Sequence, residues 1–94
     1  MNTLIQNPEQ RIFFSDPGHG WLRVPRSELI ELGVMDKISA CSYQTDDGQF
    51  VFLEEDCDLG VYVDAKGYTH HSQWCSREEY DEDEVVRQLP RFHA

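Results

Sequence analysis

The sequence predicts a small single domain of the α+β class: an antiparallel sheet built from hairpins, in the order ββα–ββα–β, with one or two short helices on one face and an acidic C-terminal segment. Short runs rich in aromatic and β-branched residues alternate with turn signals, as in hairpins. Two stretches between them have helical apolar spacing and end in glycine. Hydrophobic residues make up 39% of the 94 residues, enough for one modest core. We expect a lead-in over residues 1–9, a core domain over 10–76 and an acidic helix or tail over 77–94.

The first ββα unit follows the polar lead-in. Residues 11–15 (RIFFS) and 21–24 (WLRV) predict two strands, joined by the Pro- and Gly-containing turn DPGHG. Residues 25–33 predict a helix of about two turns, because Pro25 suits a first helical turn and Gly33 suits the position after the last. So short a helix requires tertiary packing to persist.

The second hairpin is predicted from residues 37–44 and 49–55, on either side of the turn signal Asp47-Gly48. The consecutive apolar residues FVFL in the second of these strands predict that it is central and buried on both faces.

Residues 56–67 fit two structures. Asp56 or Asp58 as the N-cap and Gly67 at the other end favour a helix, whereas the β-branched residues favour a strand. We favour the helix, and we expect a further strand over residues 68–75, where the side chains alternate.

The C-terminal segment carries conflicting signals. The sequence SREE at 76–79 is a capping-box pattern and encourages a helix through residues 77–89. In such a helix, Glu78 and Glu82 share a side with the Val and Leu residues, and Tyr80 lies opposite. The segment is therefore either two short pieces or a stretch that a partner orders.

Net charge is the dominant feature of the composition. Eighteen acidic residues against eight basic ones give −10. Residues 1–47 hold seven acids and four bases (net −3), and residues 48–94 hold eleven and four (net −7). Such a chain repels phosphate backbones and anionic lipids, so we expect no direct binding to nucleic acid or membranes. A basic protein surface is the natural partner.

The cysteines, Cys41, Cys57 and Cys75, are odd in number and form no CxxC motif, which argues against a disulfide framework and favours a reducing cytosol. The N-terminal residues lack the basic and apolar regions of a signal peptide, and no apolar run approaches the ~20 residues of a membrane span. The sequence therefore predicts a cytoplasmic protein.

Two acidic segments stand out. EEDCD at 54–58 carries four carboxylates, and EEYDEDE at 78–84 carries six. In a helix, the second segment would carry one charge per ~1.7 Å, the axial charge spacing of duplex DNA. Single runs of this kind are usually solvated surface, but two of them favour a site for a basic partner. The predicted partner-binding residues are Glu54, Glu55, Asp56, Asp58, Glu78, Glu79, Asp81, Glu82, Asp83 and Glu84.

Metal and catalytic motifs are weak. His70, His71 and Cys75 are zinc-ligand residue types, but the spacing of the last two suits a helix face better than the predicted strand, and no second ligand pair accompanies them. His19, in a turn with Asp16, is a candidate general base, yet the sequence has no nucleophile elbow, P-loop or GxGxxG motif. We therefore expect no enzymatic activity, no cofactor and no metal.

Part of the chain resembles a known group. The pattern SDPGHGW at 15–21, Val24-Pro25, ISACSYQ at 38–44 and LEEDCD at 53–58 is similar to a group of small proteins encoded by bacteriophages and mobile elements. The similarity covers residues 12–66 and leaves the acidic tail outside. By analogy of class, the resemblance implies an anti-CRISPR type of inhibitor, which blocks a positively charged nucleic-acid channel.

The sequence thus predicts a non-enzymatic phage or mobile-element protein that inhibits a host nucleic-acid-binding defence complex by covering its basic DNA- or RNA-binding surface. The alternative is a small regulatory or adaptor protein that binds a protein partner through an apolar surface, with acidity serving solubility only. High salt weakens the first kind of binding and spares the second. The oligomeric state is left open.

Overall fold

The computed structural model describes residues 3–94, which fold around one five-stranded mixed sheet with three α-helices, so the predicted α+β class is confirmed. The first two residues of the predicted lead-in lie outside the described residues. The elements in chain order are β1 (Ile12–Ser15), β2 (Gly20–Pro25), α1 (Arg26–Leu32), β3 (Tyr43–Gln44), β4 (Phe50–Glu54), α2 (Leu59–Lys66), α3 (His71–Trp74) and β5 (Arg77–Tyr80). Short 3₁₀ turns occupy Thr3–Ile5, Met35–Lys37 and Val86–Gln88.

The strands lie in the order β3-β4-β2-β1-β5. Both predicted hairpins are present as antiparallel pairs, and β2 and β4 join them through pairs such as Leu22 opposite Leu53. β5 pairs parallel with β1, with Phe13 opposite Glu78, so the expectation of a wholly antiparallel sheet is wrong. Parallel neighbours require a crossover connection, and the segment containing α2 and α3 supplies it.

Both faces of the sheet are covered. On one face, Leu29 of α1 and Leu59 and Tyr62 of α2 pack in the same buried cluster as Leu22 and Leu53 of the sheet. On the other face, the two ends of the chain close a second cluster. Its buried members are Leu4, Ile12, Phe14, Trp21, Tyr43, Phe52 and Val86. The prediction that β4 is central and buried on both faces is confirmed, since its side chains enter both clusters.

The two predicted helices form, and each ends at its predicted glycine. Gly33 after α1 and Gly67 after α2 have φ of 71° and 74°, the left-handed conformation that glycine adopts without steric cost. Their amides donate to carbonyls of the preceding turn. Among residues 3–94, no helix has the length and apolar character to span a bilayer.

Two strand predictions fail for identifiable reasons. Only Tyr43–Gln44 of the predicted strand 37–44 joins the sheet, because hydrogen bonds from Ser39 to Asp58 hold the preceding residues in a loop. The predicted strand 68–75 is instead helical over His71–Trp74. Its alternating pattern marks no buried face, since residues 69–73 are all exposed.

No helix forms through residues 77–89, although the capping-box pattern at 76–79 favours one. Residues 77–80 form β5 and residues 86–88 a 3₁₀ turn, which agrees with the alternative of two short pieces. Ser76 caps no helix: its amide donates to the Arg11 carbonyl at 2.7 Å and its hydroxyl accepts from the Arg11 amide at 3.1 Å. This pairing starts the β1–β5 ladder, which outweighs the local capping-box signal.

Candidate functional site

The first acidic segment and residues 81–84 of the second lie at the same end of the sheet. β1, β4 and β5 all finish there and β2 begins there, because Ser15 lies opposite both Gly20 and Tyr80, and Trp21 lies opposite Glu54. β4 and β5 are separated by β2 and β1, so their ends are three strand spacings apart, about 14 Å. We call this surface the acidic end. It is formed by residues 54–58, residues 81–84 and the β1–β2 turn between them.

Glu54 holds the first acidic segment in place. Its carboxylate accepts hydrogen bonds from the backbone amides of Asp56 (2.7 Å) and Cys57 (2.9 Å), and its second oxygen lies 2.9 Å from Nδ1 of His19. Burial raises the pKa of Glu54, but these hydrogen bonds outweigh it and the pKa is lowered. Glu54 is only 5% exposed, so its carboxylate is occupied within the fold.

Asp58 is equally internal. Its carboxylate accepts hydrogen bonds from the hydroxyls of Ser39 (2.9 Å) and Ser42 (2.5 Å) and from the Ser39 amide (3.1 Å). The side chain therefore fastens the loop before β3 to the start of α2. It occupies the N-cap position, as predicted, but makes no capping hydrogen bond to its own helix.

Asp81 performs the corresponding role in the second segment. Its carboxylate oxygens accept hydrogen bonds from the amides of Val85 (2.9 Å) and Val86 (3.0 Å), and its own amide donates to the Ser15 carbonyl. The intervening residues form a turn in which the Glu84 amide donates to the Asp81 carbonyl at 3.1 Å. Asp81 is 6% exposed, and it fixes the turn that displays its neighbours.

The structure thus separates the ten predicted partner-binding residues into three groups. Glu54, Asp58 and Asp81 are buried and internally bonded. Two lie along β5, where Glu78 is 3.4 Å from His71 and Glu79 is paired with Arg77. The exposed carboxylates of the acidic end are the remaining five: Glu55, Asp56, Glu82, Asp83 and Glu84.

A salt bridge that the sequence did not predict joins the β1–β2 turn to the C-terminal segment. Arg87 donates to both Asp16 oxygens, at 2.6 and 3.1 Å, and Asp16 also accepts from the amides of Gly18 and His19. The Arg87 guanidinium, with these amides, holds the pKa of Asp16 far below its ordinary value despite burial. The partners are 71 residues apart, so no local pattern identifies the pair.

A cleft of about 250 Å³ borders the acidic end. Its walls include His19, the two aromatic rings of Trp21 and Tyr43, and the guanidinium groups of Arg87 and Arg91 stacked over those rings at 5.3 and 4.7 Å. Two cations therefore lie beside the carboxylates of the acidic end.

The thiols of Cys41 and Cys57 also line the cleft, with their Sγ atoms 3.0 Å apart. The hydrogen bond to Cys41, together with desolvation and the nearby Glu54 carboxylate, raises the pKa of Cys57 to about 12. Because the thiolate is the nucleophilic form, this environment opposes attack by Cys57 with His19 as its base.

Two groups of side chains have metal-ligand composition among residues 3–94. The first, His19, Glu54 and Asp56, is explained without an ion, because both Glu54 oxygens already accept hydrogen bonds. The second consists of His71, Cys75 and Glu78 and lies away from the acidic end, where α3 meets β5.

Comparison with known proteins gave no match: no protein-family model, no curated protein and no solved structure matches this chain. The resemblance of residues 12–66 to phage-encoded proteins stays a prediction.

Proposed function

We propose that this chain is a non-enzymatic inhibitor of phage or mobile-element origin. It acts in the host bacterial cytosol by covering the basic surface of a nucleic-acid-binding defence complex with its acidic end, as an anti-CRISPR protein does. The observation that carries the proposal is the placement of Glu55 and Asp56, after β4, at the same end of the sheet as Glu82, Asp83 and Glu84, after β5.

Fixed display of these carboxylates supports binding. The bonds that Glu54 makes to the amides of Asp56 and Cys57 shape one acidic loop, and those of Asp81 shape the other. Both loops are thereby ordered before a partner arrives, so association loses less conformational entropy than it would with a disordered tail.

The separation of the two loops also supports mimicry of a duplex. Their strand ends are about 14 Å apart, close to the ~12 Å width of the DNA major groove, whose two edges are rows of phosphates. Arg87 and Arg91 line the cleft beside these loops, but Arg87 is paired with Asp16 and Arg91 donates to the Ala40 carbonyl. Five exposed carboxylates against these two arginines leave the acidic end with net negative charge.

The first test is to tag the protein, express it in a bacterium with active defence systems and identify what co-purifies at low and high salt. We expect a nucleic-acid-binding complex that is retained at low salt, released at high salt and displaced by DNA. Opposite charge steers such an association, and salt screens it.

A matched pair of triple variants localises the contact. The variant E82Q/D83N/E84Q removes three charges from the acidic end, and the control E31Q/D36N/D64N removes three from exposed positions on or beside the helices. We expect the first variant to slow association at low salt by roughly tenfold or more and the control to retain most of the rate. Equal effects of the two variants would show that the net charge of the chain, and not the acidic end, governs association. No effect of either variant would also refute the proposal.

A partner retained at high salt would instead favour the adaptor alternative. The structure gives that alternative little support, because the large exposed apolar side chains of the described residues, Ile5, Ile30 and Tyr80, belong to three separate elements. Trp21 is 1% exposed and belongs to the core, so its ring is not available to such a surface.

A further inference from the structure

Three potential metal ligands converge where α3 meets β5. The ligand atoms of His71, Cys75 and Glu78 all lie within 4.8 Å of one another, and Nε2 of His71 is 3.4 Å from a Glu78 oxygen. One imidazole nitrogen, one sulfur and one carboxylate oxygen are the donor types that Zn²⁺ takes in proteins.

The helical conformation of residues 71–74 creates this arrangement. In a strand, His71 and Cys75 would be separated by four extended residues, about 13 Å. Here the Cys75 amide donates to the His71 carbonyl at 3.0 Å, so the two side chains are one helical turn apart and share a face. β5 then brings Glu78 to the same place from the sheet.

The three ligands are held by the fold rather than gathered by chance on flexible segments. The Trp74 ring packs edge-on against Phe13 at 6.1 Å, and Phe13 is the register partner of Glu78 in the β1–β5 ladder. The same Trp74 ring contacts the His71 imidazole, with centroids 4.5 Å apart. Phe13 of β1 therefore positions both the helix that carries His71 and the strand residue Glu78.

The spacing is close to that of a tetrahedral site. Metal–ligand bonds of about 2.0–2.3 Å place neighbouring ligand atoms about 3.4–3.7 Å apart. Side-chain rotations that move the ligand atoms by about 1 Å would therefore bring them to these separations. His71 and Glu78 are 56% and 63% exposed, which leaves an entry path for the ion.

Charge at the cluster also favours a cation. The Glu78 carboxylate supplies the negative charge at the cluster. Arg77, the nearest basic residue in the sequence, is paired with Glu79 instead. A divalent ion would neutralise the Glu78 carboxylate and stabilise the Cys75 thiolate together.

We propose that His71, Cys75 and Glu78 form a Zn²⁺ site with three protein ligands and a fourth position open to water. Binding forms the Zn–S bond and releases the Cys75 proton to solvent, so affinity rises with pH. The site goes beyond the inhibitor function and does not depend on it.

The test is titration of the full, reduced chain with Co²⁺ as a spectroscopic substitute, followed by competition with Zn²⁺. We expect one equivalent of Co²⁺ to produce a sulfur-to-cobalt charge-transfer band and the intense visible bands of tetrahedral coordination. Zn²⁺ should displace the cobalt stoichiometrically.

Variants assign the ligands. Cys75→Ser should abolish the charge-transfer band, and His71→Ala and Glu78→Gln should each weaken binding by about tenfold or more. The controls C41S/C57S and His70→Ala should bind as the unmodified chain does. Circular dichroism checks that each variant is folded, and the side chains of His71 and Glu78 are exposed, so their replacement leaves the core intact. A band that survives Cys75→Ser, a band lost in C41S/C57S, or no saturable binding would overturn the proposal.

Discussion

Replacing Asp58 by asparagine tests whether this predicted partner-binding residue is structural. The side chain is 2% exposed, and it accepts hydrogen bonds from the Ser39 amide and from the hydroxyls of Ser39 and Ser42. A hydrogen bond to a charged group contributes about 1.5–3 kcal/mol and a neutral one about 0.5–1.5 kcal/mol. Loss of charge from three such bonds, partly offset by the smaller cost of burying a neutral amide, gives a decrease of about 2–3 kcal/mol in the free energy of unfolding.

Urea denaturation followed by far-ultraviolet circular dichroism measures this change, with the slope of the transition expected to stay constant. The matched control is Asp56→Asn, which removes the same charge from an exposed side chain two residues earlier and should leave the midpoint unchanged. If Asp58→Asn unfolds at the same urea concentration as the control, the buried bonds do not stabilise the loop as argued. If Asp58 is structural, Asp58→Asn affects partner binding only by lowering the fraction of folded protein. If Asp58 contacts the partner directly, the substitution reduces binding even when the protein is fully folded.

Two further predictions concern contacts across the acidic end. Pairing with Arg87 holds the pKa of Asp16 below its ordinary value of 3.8, so this carboxylate stabilises the fold at higher pH and the stabilisation is lost as pH falls below about 4. Arg87→Met should therefore lower stability at neutral pH and flatten its decline in acid, and parallel acid-unfolding curves for variant and parent would contradict this. Mild oxidation with hydrogen peroxide should join Cys41 to Cys57 as a disulfide, with two thiol protons and the peroxide leaving as two waters, because their Sγ atoms are 3.0 Å apart. Peptide mapping should find Cys75 outside this disulfide, and a mixture of pairings would refute the geometry.

Local signals in the sequence predicted the elements whose packing agrees with them. The helix before Gly67 formed because its two buried residues, Leu59 and Tyr62, lie three apart and face the sheet. The tight turn at Asp47-Gly48 likewise lies between β3 and β4, as its residue types indicate.

The failures occur where a distant partner decides the conformation. β5 exists because residues 77–80 extend the sheet beside β1, 65 residues earlier, and no periodicity within the tail reports that contact. The same limit applies to the acidic end. A sequence shows that Glu54, Asp58 and Asp81 are carboxylates, but only the fold shows that backbone amides, hydroxyls and His19 already occupy them.

The tail forms a strand and a turn and not a continuous helix, and this changes the physical basis of any mimicry. A continuous helix would have carried the charge density of a duplex along one rod. In the fold, the tail's carboxylates are divided between the edge of β5 and the turn of residues 81–84. Metal bound at the β5 site would neutralise Glu78, and Glu79 is already paired with Arg77, so the edge contributes little free charge. A basic partner is therefore expected to contact the end of the sheet, where both acidic loops are displayed, and not the side of the molecule along β5.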